Sequence, residues 1–251
     1  MNFLVTAGNT QSPIDRVRCV TNVFTGRTGA AVARTAWGRG HTVTLATSNP
    51  EGLPEFGVNP KDPGERFTVL PYRTFDDLAM LLQQQIRGVP FDAVCHAAAV
   101  SDYLPAGTYS PDPGTFFNAR LGEWEGHGNG PARLTEQKAG KIKSSEPELW
   151  IRLVRAPKLI DRFREPWGFA GVLVKFKLEV GLGDEELVAL ADESRLASGA
   201  DLMVANTLEG AAHFAYLGPL EDRYDRVPRR ELPDRLVLAV EALYQERAAN
   251  G

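Results

Sequence analysis

The stretch Phe3-Leu4-Val5-Thr6-Ala7 runs straight into Gly8-Asn9-Thr10. After a loop through Asp15, Arg18 and Asn22, the segment Thr25-Gly26-Arg27-Thr28-Gly29 opens a helical pattern. A short apolar run, a glycine-bearing loop and a helix make the start of a crossover unit, and the same alternation recurs along the chain. The spacing predicts strands at residues 3–7, 42–46, 67–70, 93–97, 172–176 and 201–205. Helices are expected at 26–39, with Gly40 as C-terminal cap, and at 74–87, where a Thr cap precedes Leu78, Leu81, Leu82 and Ile86 on one face. Asp184 is expected to cap a helix reaching about residue 198. Pro233 should begin the last helix, along which Leu236, Val237, Val240, Leu243 and Tyr244 repeat at helical spacing. The fold class is therefore α/β, a mostly parallel sheet flanked by helices.

Residues 106–140 break the rhythm. Pro111, Pro113, Pro131 and seven glycines leave little room there for a long helix or strand, so the expectation is a long loop or flap, with bounds of about 106–145, inserted in one domain spanning 1–251. A length of 251 residues with 43% apolar and 24% charged residues suits one such domain. The net charge of -4 argues against a nonspecific nucleic-acid binder, which needs a basic excess. Cys19 and Cys95 are far apart and no C-x-x-C occurs, so neither a disulfide framework nor a structural zinc site is implied and a cytoplasmic setting is expected. No uncharged apolar run approaches the roughly 20 residues of a membrane helix, and no targeting segment is seen before the first strand.

Small residues at Gly8, Gly26 and Gly29 would let a phosphate reach backbone N–H groups at a positive helix end, although glycines at such a junction are as often purely structural. Ala97-Ala98-Ala99-Val100-Ser101-Asp102-Tyr103 follows a strand. Asp102 therefore falls at a carboxyl end, where ligands of open sheets are met, or else acts as a simple cap. Lys141 and Lys143, if extended, share one side after the glycine-rich flap, and Pro157 is expected to start a short helix at Lys158. Lys175 and Lys177 share one face around Phe176, which suits an anionic ligand or a solvated strand end equally. His41, His96, His127 and His213 lack metal-ligand spacing, and no G-x-S-x-G elbow is present.

Taken together, several stretches resemble phosphopantothenate-cysteine ligase, also called phosphopantothenoylcysteine synthetase, of the monofunctional, eukaryotic-like type. They are Val5-Thr6-Ala7-Gly8 with Pro13-Ile14-Asp15 and Val17-Arg18, Asn22 with Gly26-Arg27-Thr28-Gly29, Ala97 through Tyr103, Lys141 through Ser145, Lys158-Leu159-Ile160, Phe176-Lys177-Leu178-Glu179, and Val204-Ala205-Asn206. The resemblance implies a Rossmann-like, homodimeric enzyme of coenzyme A biosynthesis. In that family a 4'-phosphopantothenate carboxylate attacks the α-phosphate of CTP or ATP with Mg²⁺, pyrophosphate leaves, and the cysteine amine then forms an amide. By the same resemblance Asn22 holds the acyl-nucleotidylate and Lys141 comes from the flap, these two being the catalytic candidates. Gly8, Gly26, Arg27, Gly29, Ala98, Ala99, Asp102, Lys143, Phe176 and Lys177 are the nucleotide-binding candidates, and no metal ligand is assigned.

Two departures from the family pattern stand out. Where many members carry lysines on a helix, this chain reads Asp192-Glu193-Ser194-Arg195-Leu196-Ala197-Ser198, and Phe24-Thr25 replaces a serine pair before Gly26. Lys175 and Lys177 are the expected compensation for the missing helix lysines. The alternatives are an NAD(P)-dependent short-chain-type reductase, against which no Tyr-x-x-x-Lys pair is found, and a nucleotide-binding sensor without catalysis.

Overall fold

The computed structural model describes residues 1–138, 140–143 and 146–250. It divides into two compact units, one of Met1–Thr10, Val23–Val100 and Lys158–Gly251, the other of Gln11–Asn22 and Ser101–Pro157.

The first unit is built on an eight-stranded sheet. Its strands are β1 (Asn2–Ala7), β2 (Thr42–Thr47), β3 (Phe67–Pro71), β4 (Ala93–His96), β5 (Val172–Glu179), β6 (Leu202–Thr207), β7 (Phe214–Leu220) and β8 (Arg223–Pro228). The spatial order is β8-β7-β6-β5-β4-β1-β2-β3. The first six strands are mutually parallel, with Phe3 opposite both Val43 and Ala93, Val172 opposite Ala93, and Val174 opposite Leu202. Their order, 3-2-1-4-5-6, is that of dinucleotide-binding sheets, and it reverses direction between β1 and β4. All six predicted strands and the predicted parallel α/β class are present.

Among the described residues there are four α-helices, α1 (Arg27–Gly38), α2 (Phe75–Gly88), α3 (Asp184–Ala197) and α4 (Leu232–Asn250), and α1, α3 and α4 pack on the sheet. Because successive strand residues face opposite ways, Phe3, Val5, Leu45, Cys95, Val174 and Val204 gather on one side with Val32, Ala33 and Ala36 of α1 and Leu236, Val237 and Val240 of α4. On the other side Met203, Ala205 and Tyr216 pack with Leu187 and Ala191 of α3. Burial on both faces explains why these strands read as unbroken apolar runs. The Thr74 hydroxyl accepts from the Asp77 N–H at 3.1 Å while Asp77 Oδ2 accepts from the Thr74 N–H at 2.8 Å, a reciprocal cap that fixes the start of α2. Those backbone donations also hold the Asp77 carboxyl below its ordinary range.

Antiparallel β7 and β8 escaped the sequence reading. The turn between them, Glu221-Asp222, holds both residues at positive φ, 47° and 64°, in the hairpin geometry that Asn-Gly usually marks.

The second unit corrects the expectation for residues 106–140. Tyr103–Pro111 is a nine-residue strand at the centre of a three-stranded sheet, between Leu134–Glu136 and Trp150–Arg155. The prolines are accommodated because Pro111 ends the strand and Pro105 lies beside the register shift between Ile151 and Leu153. Two short hairpins complete the unit, Gln11–Pro13 with Cys19–Thr21 and Thr115–Asn118 with Glu123–Gly126. Trp124 packs on Phe117 and Trp150, with ring centroids 5.4 and 4.6 Å away. The segment after Pro157 forms a single short turn of helix at Ile160–Arg162, later than Lys158.

Candidate functional site

In the first unit the loops leaving β1 and β4 are tied together. The Ala99 N–H donates to the Gly8 carbonyl at 2.8 Å, the Thr10 N–H donates to the Ala99 carbonyl at 3.3 Å, and Asn9 pairs with Ala99 in a parallel bridge. The Ala98 N–H donates to Thr6 Oγ1 at 3.0 Å. These loops flank the point where strand order reverses, the place where a dinucleotide pyrophosphate would enter. Here they are bonded to each other.

The three glycines chosen for phosphate approach have a demonstrable role inside the fold. A Cβ on Gly26, whose φ is +82°, would lie 2.2 Å from the Gly8 nitrogen, and one on Gly29 would lie 2.7 Å from both Ala7 Cβ and the Thr6 carbonyl oxygen. Their bareness lets α1 sit directly on the end of β1. No side chain caps α1, its first turn holds no acid, and its N-cap residue is Gly26. Half-buried Arg229, which the sequence reading passed over, donates to the Thr28 hydroxyl on that turn. Burial lowers its pKa.

A pocket of about 170 Å³ opens beside the same helix start, between the end of β2 and the short helix Pro50–Phe56. Ala30, Leu53 and Phe56 give it apolar walls, with Thr47 and Asn49 as polar ones. Arg27 pairs with Glu55 at this pocket, and its guanidinium lies 5.6 Å from the centre of the Phe56 ring. Glu55 was not a sequence candidate, since no local pattern links residues 28 positions apart.

Phe176 is partly buried against the main core cluster, and Lys177 pairs with Glu179 at 2.9 Å. Lys175 corrects the idea that both strand lysines stand in for the helix lysines. It is only 9% exposed, and its ammonium donates to the Ser194 carbonyl at 2.7 Å and to Ser198 Oγ at 3.1 Å. Desolvation, with Lys158 and Lys177 nearby, lowers its pKa to about 8. Arg195, the helix's one basic residue, is bonded to Asp192 at 2.8 Å and is likewise held within the fold. Burial pushes the Cys95 thiol up to about 12, so Cys95 is an inert core group.

In the second unit Asp15 organises the segment that carries the flap lysine. Its carboxylate accepts from the Val17 and Arg18 N–H groups at 2.8 Å, from Arg18 Nη2 at 2.6 Å and from the Ile142 N–H at 3.2 Å. Arg18 Nη2 also donates to the Ile142 carbonyl at 3.0 Å. These donations, the Arg18 side chain foremost, hold the Asp15 carboxyl well below the usual carboxylate range. Ile142 is buried, and Lys141 and Lys143 on either side of it are exposed. Asp102 is exposed, and its carbonyl accepts from the Ala156 N–H at 2.8 Å. Asn22 belongs to this unit as well. Ser144 and Ser145, which end the quoted Lys141 motif, lie outside the described residues.

Among the described residues no group of three or more His, Cys, Asp or Glu side chains could hold a metal ion, and no helix is long and apolar enough to cross a membrane. A Mg²⁺ that travels on a nucleotide keeps several waters and phosphate oxygens and needs one or two carboxylates, so a dedicated cage is not required.

Residues 1–111 match the family model for the DNA/pantothenate metabolism flavoprotein C-terminal domain. The coenzyme A biosynthesis bifunctional protein CoaBC of Thermococcus kodakarensis is 32% identical over 240 residues, 93% of this chain and 49% of that protein. The CoaBC of Methanocaldococcus jannaschii is 25% identical over 82% of this chain and 40% of its own length. The chain thus spans about half the length, or less, of these curated relatives. Among solved structures, the DNA/pantothenate metabolism flavoprotein of Streptococcus pneumoniae superimposes with a TM-score of 0.73 at 24% identity, covering 97% of this chain and 99% of that one. A Cab2 mutant in complex with phosphopantothenate-cysteine gives 0.70 at 17% identity, over 99% of this chain and 88% of the other. These structural likenesses bear on the fold. The chain is thus similar over 93% of its length to about half of a coenzyme A biosynthesis bifunctional protein, and its residues 1–111 match the DNA/pantothenate metabolism flavoprotein C-terminal domain.

Proposed function

We propose that this protein joins 4'-phosphopantothenate to cysteine, activating the substrate carboxylate as an acyl-nucleotidylate at the expense of CTP or ATP. The observation that carries this reading is the match across 93% of the chain to about half of a coenzyme A biosynthesis protein. The chemistry follows from the two charges that must be brought together. A carboxylate oxygen attacks the α-phosphorus, pyrophosphate departs with its electron pair, and the cysteine amine displaces the nucleotide from the acyl carbon. The amide forms and the amine loses a proton.

Anionic partners need donors and cations to offset their repulsion. Exposed Lys141 and Lys143 suit that work, as does the uncapped N-terminus of α1 with Gly8, Gly26 and Gly29 behind it. Asn22 offers a neutral amide to the acyl-nucleotidylate, where a carboxylate would repel it. Ala98, Ala99, Asp102, Phe176 and Lys177 complete the proposed nucleotide contacts. Mg²⁺ neutralises charge on the triphosphate when bound. The whole chain is read as one ligase domain working as a cytoplasmic homodimer. Neither the reductase nor the silent sensor finds support among the relatives.

The test uses purified protein, Mg²⁺, 4'-phosphopantothenate and either nucleotide. Pyrophosphate release, followed by amide formation when cysteine is added, is expected with at least one of them. Absence of both products with both nucleotides overturns the reading. In the same assay Asn22→Asp should abolish amide formation while the thermal melt stays that of the folded protein.

A further inference from the structure

The pocket beside α1 is small. At about 170 Å³ it falls below the roughly 300–1,000 Å³ of clefts that enclose drug-sized ligands. It offers a charge of each sign, the Arg27 guanidinium and the Glu55 carboxylate, with side-chain exposures of 69% and 60%. Their mutual pairing is solvent-screened and cheaply opened. Ala30, Leu53 and Phe56 supply the apolar wall. The Asn49 side chain, which donates to the Thr25 carbonyl at 3.2 Å, stiffens the polar side, where the Asn49 N–H also donates to Thr47 Oγ1 at 3.1 Å.

A small molecule that matches these features presents a carboxylate to Arg27, an ammonium to Glu55 and a short, weakly polar side chain to the wall. That is an α-amino acid zwitterion. Resting on the ligase reading above, we propose that this pocket is the subsite for the amino-acid substrate, cysteine. Arg27 then binds the cysteine carboxylate, which takes it out of the phosphate-binding role that the sequence suggested. A nucleotide phosphate is a poor match because Glu55 faces the same guanidinium. A neutral ring would leave both charges unused.

The experiment measures amide formation with cysteine and nucleotide varied separately, for the wild type, Glu55→Gln and Arg27→Gln. Both side chains are exposed, so the variants should fold, and a thermal melt verifies it. The expected result is a cysteine KM raised at least fivefold in both variants, with the nucleotide KM within twofold of the wild type. Unchanged cysteine KM values in both variants, beside a wild type that makes the amide, sink the subsite and leave the ligase reading intact. A raised nucleotide KM in Arg27→Gln, with cysteine KM unmoved, returns Arg27 to the phosphate and also overturns the proposal. A wild type that makes no amide with either nucleotide removes the ligase reading, and the subsite falls with it.

Discussion

Thr6 Oγ1 and His96 Nδ1 lie 3.0 Å apart and share a buried hydrogen bond. The Ala98 N–H donates to the same hydroxyl oxygen, so Thr6 ties His96 to the loop that leaves β4. Burial, reinforced by Lys175, lowers the His96 pKa to about 4. The unfolded chain therefore takes up a proton that the folded chain refuses between about pH 6.5 and 4. Stability contributed above pH 6.5 is lost as pH falls through that window. At about 1.4 kcal/mol per pH unit the full span is worth roughly 3 kcal/mol. Urea denaturation at pH 7 and pH 4.5 should show a steeper acid loss for the wild type than for His96→Gln. Equal losses would contradict the assignment.

Thr6→Val removes the shared hydroxyl and leaves the Ala98 N–H and His96 Nδ1 without it. An unsatisfied buried polar group costs about 1–3 kcal/mol. The midpoint in urea should fall accordingly, while Thr6→Ser, which keeps the hydroxyl, should lose less.

Gly29→Ala places a methyl 2.7 Å from Ala7 Cβ and the Thr6 carbonyl oxygen, so α1 must lift off β1. Overpacking of this kind costs about 1–3 kcal/mol. Gly26→Ala adds a disfavoured positive φ of 82° to a closer clash and should be the worse of the two. Equilibrium unfolding of both variants checks the order.

Lys175→Met should alter stability at alkaline rather than acid pH. The folded-state pKa of about 8 lies below the ordinary 10.5, so the unfolded chain holds an extra proton between those values. Wild-type stability from this group is therefore fullest above pH 10.5 and is lost as pH falls towards 8. Thermal melts at pH 8 and pH 10 should show a smaller relative alkaline gain in the methionine variant.

Asp15→Ala removes the acceptor of the Ile142 N–H and releases Arg18. Amide exchange at residues 140–143 should accelerate, and amides of the first unit's sheet should keep their protection. Unchanged exchange at Ile142 would show that Asp15 does not hold the lysine-bearing segment.

Much of the first unit was legible because its strands are buried on both faces and its helices carry local start and stop signals, such as Thr74 before α2 and Gly40 after α1. The strand Tyr103–Pro111 was not, because prolines that forbid an ordinary ladder are tolerated at a register shift and a strand end, which only the partner strands define. Among candidate site residues, Gly26 and Gly29 were picked for a phosphate and are also demanded by the contact of α1 with β1. Lys175 and Lys177 looked alike in a period of two, yet one bonds to α3 and the other to Glu179. Arg229 and Glu55 carried no local signal, since their partners are brought close only by the finished sheet.

Helix α4 lies against α1, and Glu241 receives Arg39 at 2.7 Å and His41 at 2.6 Å across some two hundred residues. During synthesis the emerging chain would therefore carry Val32, Ala33 and Ala36 without their α4 neighbours until residues 232–250 have left the ribosome. A crossover unit at β1 and α1 is thus completed by a helix some two hundred residues further on, so a stalled product displays an apolar face suited to chaperone capture and aggregation.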